Sequence, residues 1–232
     1  MIRRLLLLLS IGSLLTVFLW SGYEIGTRHQ EYQVARSEYA ALREQFGVPS
    51  RMPDKVSAGV PNTAQDNEYE QTNPESVNFD ALQVINPSAM GWITVPGTDV
   101  SYPIAQAHDN DWYLWRTFSG ERNASGAIFL DFRNAPDFTD PHSILHGHNM
   151  RDGSMFAPLH SWTGDRFFIH TPDGVLEFEV FNRQAVPADD ELYALHYTDN
   201  EVQVVTLSTC VTGRPHLRYV VQGQLRDNLS RG

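Results

Sequence analysis

The stretch "QVVTLSTCVTGRPHLRYVV", Gln203–Val221, decides the fold. Its first half, "VQVVTLS", is almost entirely apolar and β-branched, which predicts a central strand. A short loop follows, and "LRYVVQGQL" begins a final strand. Cys210, the only cysteine in 232 residues, stands where the first strand runs out. A lone thiol cannot close an intrachain disulfide. In an exported chain it is an accident, an intermolecular link or a reactive group.

Outward from this pair of strands the punctuation remains that of a β protein. "GWITVPGTDVSYPI" holds two short strands, Trp92–Val95 and Val100–Ile104, around a Pro96-Gly97 turn, and "GAIFLD" is another. "RFFIHTPDGVLEFEV" reads as a hairpin around Pro172-Asp173-Gly174, with Leu176, Phe178 and Val180 on one face and Glu177 and Glu179 on the other. Many short strands at this spacing predict a closed barrel or a sandwich. Short helical pieces are expected at Asn110–Trp115 and Ser154–His160. The compact domain is placed at residues 79–226, with a polar tail at 227–232.

The N-terminal third is built differently. Residues 47–78 are rich in Pro, Asn, Gln, Ser and Glu, a linker composition too poor in apolar residues to form a core. Residues 24–46 read as a polar, mostly solvated helix, on which Tyr32, Tyr39, Leu42 and Phe46 form a partial apolar stripe. Residues 1–23 carry Arg3 and Arg4, then a charge-free run from Leu5 to Trp20, then Tyr23. About 17–25 apolar residues span a bilayer, so the run is at the short end. A signal peptide is the alternative. An uncleaved signal anchor is preferred, because Leu14 to Gly26 offers no clear small-x-small cleavage site. The positive-inside bias then puts the remainder of the chain outside the cell. A formal net charge of -11 argues against nucleic-acid binding.

A cysteine becomes a nucleophile when a neighbour takes its proton or stabilises its thiolate. A second group must stabilise the oxyanion formed when a carbonyl is attacked. "SILHGHNM" puts His148 just after an apolar strand, behind a glycine that permits a sharp turn. Arg218 opens the strand after Cys210, and a hairpin would return its guanidinium towards the thiol. Arg214, in a Gly-Arg-Pro turn, is the rival. Ser208 and Thr209 either pack the strand or line a substrate groove. His142, His146 and His148 with Cys210 raise the question of zinc, which wants three or four ligands in closed geometry. Gly147 interrupts that set, and no metal or other cofactor is expected. Asn110, Asp111 and Trp112 are read as capping a helix start.

"TLSTC" with an arginine leading into "YVV", and "HGHNMRDGSMF" upstream, resemble the sortases, membrane-anchored cysteine transpeptidases of mainly Gram-positive bacteria. "DNDWYLWRTFSGERNASGAIFLDFRN" resembles class B in particular, and the likeness covers Met90 to Gln222 in order. The resemblance implies an eight-stranded closed β-barrel with short helices. It implies Cys210 as nucleophile, His148 as acid and base, and Arg218 as the arginine of the site. The reaction implied is attack on a threonine carbonyl in a C-terminal sorting signal of secreted proteins. The acyl group then passes through a thioester to an amine of the cell wall or of a pilin.

Three features depart from the pattern. Asn182 to Glu201 has room for only a short helix, around Asp189–Leu195, where class B enzymes usually carry a long one. His146 stands where Tyr is frequent, and the loop from Cys210 to Arg218 is tight. Two other functions compete. An L,D-transpeptidase would place Gly before its cysteine and Arg shortly after, which "STCVT" does not match. A tethered binding domain without activity has no use for all three groups. Residues 47–78 lack the Asp-Pro-aromatic tripeptide of pilus-type class C lids, which favours class B.

Overall fold

The computed structural model describes residues 2–46, 77–194 and 202–230, without side-chain placement for residues 2, 5–8 and 227–230. Residues 47–76, most of the expected linker, lie outside the described residues, as do residues 195–201. Eight strands close into a barrel. They are β1 (Ala89–Thr94), β2 (Ser101–Gln106), β3 (Ile128–Leu130), β4 (His142–His146), β5 (Arg166–Thr171), β6 (Gly174–Pro187), β7 (Val204–Val211) and β8 (Arg214–Ser230). Their order round the barrel is β1-β2-β3-β4-β7-β8-β6-β5, closed by antiparallel pairing of β1 with β5. β2 with β3 and β4 with β7 are parallel neighbours. This settles barrel over sandwich and puts β7 between β4 and β8, as its composition demands.

The period-two pattern of β7 sorts its side chains to two faces. Val205 and Leu207 enter the main core with Trp92, Ile93, Phe129, Phe167 and Phe178. The opposite face carries Thr206, Ser208 and Cys210. Beside it a second small core gathers Val186, Leu192 and Val220, with Tyr193 packed against it. β6 and β7 therefore need the connection between them to cover the outer face of the barrel. β6 runs on to Pro187, so it takes up part of the predicted connection, and the helical piece there is a single 3-10 turn, Glu191–Tyr193. Asp190 caps that turn by accepting from the Leu192 N–H. The other two expected helical pieces are also 3-10 turns, Trp112–Leu114 and Ala157–His160.

The N-terminal region forms one helix, α1 (Ile2–Phe46), without a break at residue 23. Most of its residues are exposed, and its later half docks on the barrel by one stripe. Ala35, Tyr39, Leu42 and Phe46 are buried in the main core. The spacing of four and three residues puts them on one stripe. The Tyr39 hydroxyl donates to the Gly126 carbonyl at 2.7 Å and accepts from the Phe118 N–H. Arg36 binds Asp152 through both the carboxylate and the backbone carbonyl. Earlier in α1, Leu14, Phe18, Leu19, Trp20 and Tyr23 are exposed. Among the described residues, no helix is long and apolar enough to cross a membrane. A second helix, α2 (Phe79–Ile85), is capped by Asn78, whose side chain accepts from the Ala81 N–H, and buries Phe79 and Leu82.

Candidate active site

Cys210 lies next to last in β7, half-buried, at the rim of the barrel. Across the antiparallel ladder its direct partner is Arg218. Directly opposite residues hold their Cβ atoms roughly 4.5–5.5 Å apart on one face, so thiol and guanidinium stem project together. The shift of register between Cys210 and Val211 makes this possible. It lets a loop as short as Thr212–Gly213, with Gly213 at φ 73°, turn the chain. Only glycine adopts that backbone without strain. The Arg218 guanidinium is oriented by its own loop, donating to the Pro215 and Leu217 carbonyls. Arg214 sits at the exposed start of β8, opposite Val211.

His148 reaches the same rim from the other neighbour of β7. β4 runs parallel to β7 with His146 level with Ser208, and the Gly147 N–H donates to the Ser208 carbonyl at 3.1 Å. His148 follows two residues beyond this last pair, and the residue after it, Asn149, reaches the Cys210 carbonyl at 2.9 Å. Gly147 is required by close approach, since a Cβ there would fall 2.4 Å from the Ile128 side chain and 2.7 Å from Phe156. Gly126 underlies the imidazole itself, because a Cβ on it would lie 2.9 Å from His148 Cδ2. The ring is fixed by the Leu114 carbonyl, 2.8 Å from Nε2, and flanked by Trp115 at 6.1 Å. A carbonyl only accepts, so Nε2 carries hydrogen, and in the neutral ring Nδ1 holds the lone pair that can take a proton.

The floor beside Cys210 is polar and tightly held. Ser208, on the Cys210 face, shares a 2.7 Å hydrogen bond with the Tyr193 hydroxyl. Burial pushes that hydroxyl up, and Arg218 and Cys210 lie close enough to act on it in opposite directions. Tyr193 is thus a member of the site that the sequence reading passed over; its only signal was a position in the shortened connection. His146, where class B sequences often have Tyr, stacks between Phe129 and Tyr193 and bonds the buried Asp131 at 3.1 Å. Burial alone would raise the Asp131 carboxyl. Hydrogen bonds from His146 and Arg133 outweigh it and hold the group well below the usual carboxylate range.

Thr209 projects to the opposite face from Cys210. It is 2% exposed, and its hydroxyl has no partner among the described residues. The three histidines considered as zinc ligands diverge: His142 binds Thr206, His146 binds Asp131 and His148 binds the Leu114 carbonyl. Among the described residues no group of three or more His, Cys, Asp or Glu is gathered as a metal site.

The chain has counterparts among known proteins. The family model described as "Sortase domain" matches residues 93–226, more than half of the chain. Sortase B of Listeria monocytogenes is 29% identical over 244 residues, covering 91% of this chain and 93% of its own. The structure of sortase B from Bacillus anthracis is 29% identical with a TM-score of 0.63, covering 88% of this chain and 100% of that one. A Streptococcus pyogenes class B sortase involved in pilus biogenesis is 31% identical with a TM-score of 0.58, covering 65% and 98%. The chain belongs to the sortase family, enzymes of cysteine transpeptidation, and its relatives are of class B.

Proposed function

We propose that the chain is a membrane-anchored cysteine transpeptidase that cleaves a C-terminal sorting signal and hands the acyl group to an amine outside the cell. Cys210 is the nucleophile, His148 the acid and base, and Arg218 the oxyanion partner. The observation that carries this reading is the cross-strand pairing of Cys210 with Arg218, with His148 just past the end of β4, the strand that pairs with β7 on its other side.

Acyl transfer then proceeds in two halves. The thiol proton passes to Nδ1 of His148, the nitrogen not engaged by the Leu114 carbonyl. Sulfur attacks the backbone carbonyl carbon of the signal, and the tetrahedral oxyanion takes N–H donors from Arg218, which stays charged at any working pH. Collapse breaks the C–N bond as Nδ1–H returns the proton to the leaving amine, and a thioester remains. An incoming amine gives its proton to His148 as it attacks. Expulsion of sulfur, which takes that proton back, regenerates the thiol and leaves a new amide. Ser208 is 3% exposed and bonded to the Tyr193 hydroxyl on the Cys210 face, which favours a supporting role beneath the site. For Thr209 the inward position favours packing.

Anchoring is supported by the charge-free run Leu5–Trp20 after Arg3 and Arg4, and by the exposure of residues 9–20 where the later half of α1 is docked. The catalytic domain then lies outside a single-pass anchor. The acceptor is an amine of the cell wall or of a pilin, and the pilus-related relative supports keeping both. A peptide-library cleavage assay tests the function and reads the signal. The wild-type chain is expected to release a peptide amine and to form a mass-detectable Cys210 thioester. Turnover that persists in folded Cys210→Ala overturns the proposal.

A further inference from the structure

Asn149 follows His148 directly and reaches across to the nucleophile's strand. Its Nδ2 lies 2.9 Å from the Cys210 carbonyl oxygen and 3.1 Å from Thr212 Oγ1. A carbonyl oxygen only accepts, so the amide must present its NH2 there, and its two hydrogens match the two oxygens. His160 Nε2 lies 3.1 Å from the same carbonyl. Asn149 Nδ2 and His160 Nε2 are themselves within hydrogen-bond distance at 3.1 Å, so His160 donates to the carbonyl in one tautomer and accepts from Asn149 in the other. The His160 ring stacks on Tyr219 at 4.6 Å, next to Arg218 in β8.

The position of this acceptor gives the contacts their consequence. The Cys210 carbonyl belongs to the peptide unit at which the β7–β8 register shifts. Ladder pairing is interrupted there, so the strand end is held by fewer cross-strand bonds. Asn149 bonds that unit from the residue next to the imidazole, so one short covalent link joins the base to the group that fixes the nucleophile. The same turn is closed behind by the Phe156 N–H donating to the His148 carbonyl and by the Asn149–Met155 bridge.

We infer that Asn149 is a positioning residue that ties the turn bearing His148 to the peptide unit of Cys210, with His160 alongside it, so that base and thiol keep their separation through both acyl transfers. The inference rests on the catalytic reading of Cys210 and His148.

Asn149→Asp keeps the shape of the side chain but turns an acceptor towards the carbonyl, and Asn149→Ala removes the tie. In both, kcat for sorting-peptide cleavage is expected to fall about 10–100-fold with KM little changed, since misplacement by about 1 Å costs on that order. Asn149→Gln, which keeps the amide, is expected to recover part of the loss. A second measurement separates positioning from folding. The pH profile of Cys210 alkylation by iodoacetamide should shift in Asn149→Asp towards that of His148→Ala, while circular dichroism stays that of the folded chain. Should Asn149→Asp not fold, Asn149→Ala carries the same comparison. Wild-type kcat in the variants, or lost turnover with an unshifted alkylation profile, overturns the inference. Alkylation needs no peptide, so it reads the tie even if the sorting-signal reaction fails with every peptide tried.

Discussion

Acidification should cost this barrel stability through one residue that takes no part in the site. His170, on β5 opposite Trp92 of β1, is 2% exposed. Its Nε2 lies 3.3 Å from Thr94 Oγ1, and Nδ1 has no partner among the described residues. Burial disfavours the charged ring and lowers its pKa from 6.5 to about 4. The unfolded chain therefore binds a proton in a range where the folded chain does not. The contribution is complete above about pH 6.5 and is lost as pH falls from there through about 4. At 1.36 kcal/mol per pH unit, that interval amounts to about 3 kcal/mol. The measurement is urea unfolding at a series of pH values from 7.5 to about 4, followed by tryptophan fluorescence, to which the buried Trp92 and Trp162 contribute. His170→Gln, which cannot titrate, should remove most of the slope. His142, whose pKa burial also lowers, should account for a remainder. Equal slopes in wild type and His170→Gln would refute the reasoning, because the burial penalty would then not be paid at this ring.

Other consequences follow from single contacts. Gly126→Ala puts a Cβ 2.7 Å from the Tyr113 carbonyl and 2.9 Å from His148 at φ 60°. It should cost about 1–2 kcal/mol in backbone strain alone and lower kcat by moving the imidazole, as read by urea unfolding and peptide cleavage. Tyr39→Phe strips a buried carbonyl and a buried N–H of their partner. A loss of about 1–3 kcal/mol is expected in the same unfolding assay, and an unchanged midpoint would mean that water replaces the hydroxyl. Arg218→Lys loses the planar fork and should reduce kcat by about 10²–10³, whereas the exposed Arg214→Ala should stay within about two-fold; the reverse ranking would exchange their roles.

Much of this site was legible because it is local in sequence. Cys210 and Arg218 flank one tight loop, and a hairpin brings such residues opposite each other whatever else the fold does. His148 was legible through the glycine before it. Tyr193, Asn149 and His160 were not. Each reaches Cys210 or its strand through a contact spanning fifteen to sixty-one residues. No periodicity marks a side chain whose role is to donate one hydrogen bond across strands. The docking stripe of the N-terminal helix was legible in part. Tyr39, Leu42 and Phe46 stand at the spacing read from the sequence, and Ala35 joins them in a stripe that is buried only because the barrel offers it a surface.

The amino-acid sequence alone determined the strand content, the apolar N-terminal run and the residue types of a thiol acyl-transfer site, since alternation, turn residues and side-chain chemistry are written locally. Closure of the barrel, the parallel pairing of β4 with β7 that brings the turn bearing His148 beside the Cys210 strand, and the surroundings that move His170 and Asp131 in acidity were decided by tertiary structure. Strand order and dielectric environment are properties of groups far apart in the chain, and they come into being only when the core excludes water.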